Sequence, residues 1–452
     1  MCKYKMPISE FKRSLDVASG ATTCANVVII GGGIIGTSIA RRLKELRKNV
    51  EVLLLEKECR LARHQSSHNS GVVHSGVYYN PGSLKARFCV EGAKLLEKYC
   101  NEKNIQYRKN GKLVLAKDCT ESNILKFLYE RGVKNNVTSL EILTSLSDVR
   151  KICSGCCGVQ ALWSPNTANV NFGDITNSFG NDFLELGGFI VYNFEVEDIQ
   201  YCGENTEYPI SVIGVDNNQI IKAKYIVICG GLQSETLTNL YGPKSHLKFL
   251  SLRVNYKLLK AEFCGNLATN VYPVPDLTLP FLGAHFSPHP DGNVLLGPSA
   301  VPALKLEGYK CNELNLDYLK DLTLSCGFRN MVLRNFSKCV DQVAKVVFPD
   351  IQVLWNNFFL ISSTSYLKIK ELQQLIPNFS YQFVREGPIA IQCQALKGDG
   401  TFVDDFLIDV FEGNGITSRI INVKFAPSPA ATSAMAIANF VIEELMKKLR
   451  AC

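Results

Sequence analysis

The sequence predicts an α/β protein built on a doubly wound parallel sheet. Three observations predict it. An unbroken apolar run, Val27 to Ile30, reads as a buried strand. The glycine turn "GGGIIG" follows at once and opens a helical pattern. A second apolar run, "VEVLLLE" from Val50 to Glu56, completes a β-turn-α-β unit of about 30 residues.

Before this unit, Lys3, Lys5, Lys12 and Arg13 stand against Glu10 and Asp16. The acids make this a weak match to an organelle presequence. In the helix, Ile35, Ile39, Leu43 and Leu46 recur at helical spacing, with Arg41, Arg42, Lys44 and Lys48 on the other side. "YIVICGG", Tyr225 to Gly231, is another buried strand that ends in glycines. "YPVPD", Tyr272 to Asp276, interrupts regular structure with two prolines. Leu396 to Phe402 reads as a tight turn between strands. Pro427 and Pro429 open a last helix with Met435, Ala438, Val441, Ile442 and Leu445 on its apolar face. Lys447 and Lys448 close it, where positive charge suits the helix dipole.

A chain of 452 residues exceeds one ordinary core, so two domains are expected. The net charge of +7 is scattered, without a block of like charges. That argues against nucleic acid and suits an anionic substrate or cofactor. Seventeen cysteines are too sparse for a disulfide scaffold and read as reduced thiols. "CSGCC", Cys153 to Cys157, lacks a second CxxC and a nearby histidine pair, so no metal is expected. No apolar run reaches the roughly 18 residues of a membrane span.

Gly31, Gly33 and Gly36 form GxGxxG between a strand and a helix. Gly31 permits the tight turn, Gly33 lets amides approach a pyrophosphate, and Gly36 lets the helix pack on the strand. The helix start at Ile34 and Ile35 faces the phosphates. Glu56, about 20 residues on, can accept from ribose hydroxyls, with Lys57 beside it. Glu56 disfavours NADP and leaves FAD or NAD. The motif's place near the N-terminus of a long chain favours FAD.

"HNSGVVHSGVYY", His68 to Tyr79, sets ring nitrogens and phenols beside small residues. Together with "VVIIGGGIIG", "LLLEKE", "GKLVLA" (Gly111 to Ala116), "SPNT", "PFLGAHFSP" and "APSPAATS" (Ala426 to Ser433), it resembles the L-2-hydroxyglutarate dehydrogenases. These belong to a larger FAD-dependent group related to D-amino-acid oxidase. The likeness spans residues 26–446.

The resemblance implies an α+β molecule overall. A discontinuous Rossmann-like FAD domain occupies 26–105, 161–245 and 386–450. A mainly antiparallel β substrate-binding domain occupies 106–160 and 246–385. The implied reaction oxidises L-2-hydroxyglutarate to 2-oxoglutarate. Electrons pass through non-covalent FAD to an acceptor other than oxygen, such as a quinone or an electron-transfer protein. A peripheral membrane contact is compatible with this. Animal members are mitochondrial.

His68, Asn69, Ser70 and Gly71, with Ser75 and Gly76, would let the chain lie against the flavin. The reaction wants a base, and histidine is the natural choice. His74 is the first choice and His285 the second; the alternative is that either is a hydrogen-bonded core residue. A dicarboxylate wants cations, ideally the fork of arginine. Arg253 in "SLRVNY" is the candidate, both for binding and for aiding catalysis. Lys85 and Arg87 are helpers or solvated surface charges. Tyr272 donates to a carboxylate or stacks in the core. Gly231, and Pro427, Ser428 and Ala430 at the last helix start, would hold the cofactor, the helix amides facing the flavin pyrimidine edge.

Some positions depart from the family pattern. Gln392 stands where an arginine is expected, Ala390 and Val254 replace glycines, and Phe425 replaces an asparagine. After "SPNT" the chain reads Ala168, Asn169, Val170, Asn171 where the family reads Gly-Ile-Val-Asp. The substrate side drifts while the cofactor motifs stand. An altered 2-hydroxy or amino acid substrate, or flavin binding without turnover, is the rival reading.

Overall fold

The computed structural model describes residues 23–215, 219–242, 247–264, 267–276, 283–310, 312–335 and 370–450. Two eight-stranded sheets carry the fold. In the first, strands Ile420–Phe425, Ile220–Ile228, Thr23–Ile30, Val52–Leu55 and Phe189–Val191 lie side by side and parallel. Val28 sits between Ile226 and Leu53. Val27 and Ile29 pack into one core, Val28 and Ile30 into another, one on each face of the sheet. Burial on both faces is why "VVII" is unbroken rather than alternating.

Helix Ile34–Leu46 and the C-terminal helix Ala430–Arg450 cover one face and share the core of Val27 and Ile29. The expected faces of the first helix need correction. Leu46 is exposed, whereas Lys44 is buried and donates from Nζ to the carbonyls of Lys48 and Val50. Arg41 pairs with Asp182 at 2.8 Å. A long stem can bury if its head finds carbonyl or carboxylate oxygens.

The second sheet runs Val384–Leu396, Lys248–Leu259, Val294–Pro302, His285–Pro288, Asn270–Pro273, Lys112–Ala116, Gln160–Ser164 and Glu141–Leu143. It is antiparallel except where Asn270–Pro273 meets Lys112–Ala116. The chain crosses between the sheets repeatedly, as the discontinuous organisation requires. Two expected boundaries fall inside strands of this sheet. Gln160–Ser164 continues past residue 160, and Val384–Leu396 continues well past 386. A strand ends where its ladder ends, and the pairing of Lys248 with Leu396 holds this one to its last residue.

Candidate functional site

The glycine turn lies at the end of strand Thr23–Ile30, where a parallel doubly wound sheet binds its ligands. Gly31 has φ +111°, and a Cβ there would lie 2.3 Å from the Cys229 carbonyl oxygen. At Gly36 a Cβ would lie 2.0 Å from the Gly31 carbonyl oxygen. The turn and the close helix both demand glycine. Ser66 Oγ accepts from the Ile34 amide at 2.9 Å and ties the next loop to the helix start.

One cleft of about 490 Å³ runs from this turn to the second sheet. Gly33, Ile34, Ile35 and Gly36 line it, with His68, Asn69, Ser70 and Gly231. Pro427, Ser428 and Ala430 from the start of the C-terminal helix line it too. Asn69 fixes its own loop, accepting from the Gly71 amide and donating to the Gln65 and Ser66 carbonyls. Thr432 Oγ1 accepts from the His74 amide at 3.2 Å, which joins the C-terminal helix to the central stretch of the site. Glycine turn, two helix starts and a loop of small residues converge on one cleft, a donor set that fits the dinucleotide FAD.

Glu56 is buried, with Oε2 accepting from Gly32 N and Oε1 from Glu58 N. Burial raises its pKa, against those two bonds. Glu56 does not line the cleft, though each carboxylate oxygen keeps a second lone pair. Lys57 departs from expectation: it pairs with Glu307 at 2.8 Å and lies outside the lining.

At the far end, His74, Tyr78, Tyr256, Tyr272, His285, Ala390 and Gln392 close the cleft. Tyr272 and His285 stack with centroids 3.8 Å apart and planes at 12°. His285 Nδ1 lies 2.7 Å from the Gly283 carbonyl, so that nitrogen carries a proton. His74 Nδ1 is buried and finds no hydrogen-bond partner among the described residues. Burial pushes the His74 pKa down to about 3, and the Lys112 and His285 charges push the same way. His74 is therefore neutral at neutral pH. Burial, with a smaller push from the Tyr272 oxygen, raises Tyr78; burial likewise raises Tyr272, so both phenols stay protonated as donors.

Cations also meet here. Lys85 lines the cleft, its Nζ 3.6 Å from Asp404. Arg131, which sequence reasoning missed, lines it from helix Cys119–Lys134 and donates to the Tyr78 carbonyl at 2.7 Å. Lys112 was also missed. Its side chain is 0% exposed, with Nζ 4.2 Å from the Tyr78 ring centre and 5.2 Å from that of Tyr272. Its signal was visible in "GKLVLA", a lone lysine opening an apolar run. Arg131 gave none, because a basic residue on a helix usually faces water.

Arg253 departs from expectation. Val254 and Tyr256 on its strand line the cleft and Arg253 does not. The side-chain period of two sends Arg253 to the opposite face. Arg87 is exposed on its helix and also lies outside the lining.

The chain is similar to several known proteins. Residues 26–348 match the family model described as FAD dependent oxidoreductase. The mitochondrial L-2-hydroxyglutarate dehydrogenase of Bos taurus is 39% identical over 437 residues, 95% of this chain and 90% of that protein. The protein of the same name from Dictyostelium discoideum is 33% identical and covers 92% of each. Among solved structures, L-α-glycerophosphate oxidase from Mycoplasma pneumoniae with FAD bound superposes with a TM-score of 0.71 at 20% identity. It covers 94% of this chain and 95% of that one. Glycine oxidase from Geobacillus kaustophilus gives 0.65 at 14% identity, with the same coverage. At such identities the structures speak to the fold.

Proposed function

The chain belongs to the FAD-dependent oxidoreductases and, among them, to the L-2-hydroxyglutarate dehydrogenases, and from that membership we propose the roles of its cleft residues. It oxidises L-2-hydroxyglutarate to 2-oxoglutarate with FAD as cofactor. Its relatives are mitochondrial, and the chain acts in that compartment. Bound FAD supplies the hydride acceptor. Electrons then leave to a quinone or an electron-transfer protein.

The residues at the glycine turn, Gly31, Gly33, Ile34, Ile35 and Gly36, hold the pyrophosphate, and Glu56 holds the ribose. His68, Asn69, Ser70, Gly71 and Gly231 shape the flavin side, with Pro427, Ser428 and Ala430 at the helix start. His74 takes the hydroxyl proton of the substrate. His285, fixed by Gly283 and stacked on Tyr272, orients the hydroxyl through Nε2. The Tyr272 phenol donates to a carboxylate. Arg131 and Lys85 draw in the other carboxylate, the role expected of Arg253. The observation that carries this reading is one cleft holding both the glycine turn and the His74–Tyr272–His285 group.

The deciding experiment is an anaerobic absorbance titration of the purified holoprotein with L-2-hydroxyglutarate. Bleaching of the oxidised flavin band is expected. A protein that stays yellow overturns this substrate. Gln392 lines the cleft, and that favours one second reading, a shifted 2-hydroxy acid. The same titration with other 2-hydroxy acids separates the two.

A further inference from the structure

Lys112 presents a physical problem. An ammonium taken out of water costs several kcal/mol unless an anion or hydrogen bonds compensate. Here Nζ is buried and makes no hydrogen bond to any described residue. Among the described residues no carboxylate pairs with it. The groups facing it are the ring and phenol of Tyr78 and the imidazole of His74 from the 72–79 stretch, the Cys89 thiol from helix Leu84–Glu102, and the Tyr272 ring from its strand. His285 lies behind Tyr272. None is an anion at neutral pH, since burial holds the Cys89 thiol and both phenols well above their usual values. Two aromatic faces offer modest compensation.

Tyr78 and Tyr272 line the cleft, and Lys112, which does not line it, sets Nζ over both rings. A dianion in the cleft is the counter-charge the site lacks. We propose that Lys112 is a positioning residue that charges on demand: it takes a proton from solvent when a dicarboxylate enters the cleft, and its ammonium then holds the dianion against His74. This rests on the reading of the cleft as a dicarboxylate site. The fold prepares the step, because burial brings the empty-site Lys112 down to about 7.

The test uses oxidised holoenzyme and glutarate, a dicarboxylate with no hydroxyl to oxidise. Binding is read from the flavin spectrum and proton uptake from a pH indicator in weak buffer. Above about pH 7, glutarate binding takes up close to one proton, and affinity falls about tenfold per pH unit. Below that pH, uptake vanishes. Lys112→Met loses the uptake and binds weakly at every pH. Lys112→Arg, permanently charged, binds without uptake and without the pH slope.

Uptake that persists in Lys112→Met overturns the proposal and assigns the proton to a histidine. Glutarate that binds wild type without uptake, or leaves the spectrum unchanged at every pH, overturns it too. If the variants lose their flavin, wild type decides alone, and glutarate binding without proton uptake at any pH is a failure. Failure of L-2-hydroxyglutarate to bleach the flavin is a separate result and sinks the function instead.

Discussion

His74 and Gln392 face the same cleft and pose opposite problems. His74 has lost its water. His74→Ala should lower kcat by about 10²–10⁴-fold while FAD absorbance stays. Steady-state kinetics on the yellow variant checks this. The same burial has a stability consequence. The folded chain holds His74 at about 3, and an unfolded histidine titrates near about 6.5. Between those values the unfolded state binds the extra proton. Stability is therefore lost as pH falls through about 6.5 toward 3. Urea melts of wild type against His74→Asn should show a shallower acid slope in the variant. Gln392 offers an amide where the family expects a guanidinium. Gln392→Arg should add a charge-assisted bond of about 1.5–3 kcal/mol. That is about one to two decades in kcat/KM for L-2-hydroxyglutarate. An unchanged ratio would show that this position does not hold a carboxylate.

At the scale of elements, two glycines let helices close on the site. Gly36 was legible, because a known spacing announces it. Gly92 was not, since nothing in the helix pattern marks it. Its Cβ would lie 2.2 Å from the Thr432 carbonyl, backbone against backbone. Helices Leu84–Glu102 and Ala430–Arg450 meet there, and Thr432 braces the His74 amide. Gly92→Ala should cost about 1–3 kcal/mol through overpacking and weaken FAD retention. A thermal melt followed by flavin fluorescence reads both. The first helix teaches the same lesson. Its period is visible in sequence, but Lys44 turns inward because carbonyls of the next loop await it.

For the whole molecule, the cleft joins residues from both sheets, so bound FAD ties together segments far apart in sequence. Stripping FAD should lower Tm, and adding it at about 100 times Kd should restore about 2.7 kcal/mol. Calorimetry of apo and reconstituted protein checks it; equal Tm values would mean the cofactor does not bridge the fold.

By itself the sequence determined the parallel β-turn-α-β unit, the glycine turn and the cofactor class, and it singled out His68, His74 and His285, which line the cleft. Each is written in a short window, because apolar period, obligatory glycines and motif spacing are local properties. Only the tertiary structure decided which cations lie at the cleft. It set Arg253 aside through strand alternation, tied Lys57 to Glu307, and brought Arg131 and the buried Lys112 to Tyr78. A charge's role depends on what surrounds it and how much water it keeps, and those are set by chain crossings between two sheets that no local window contains.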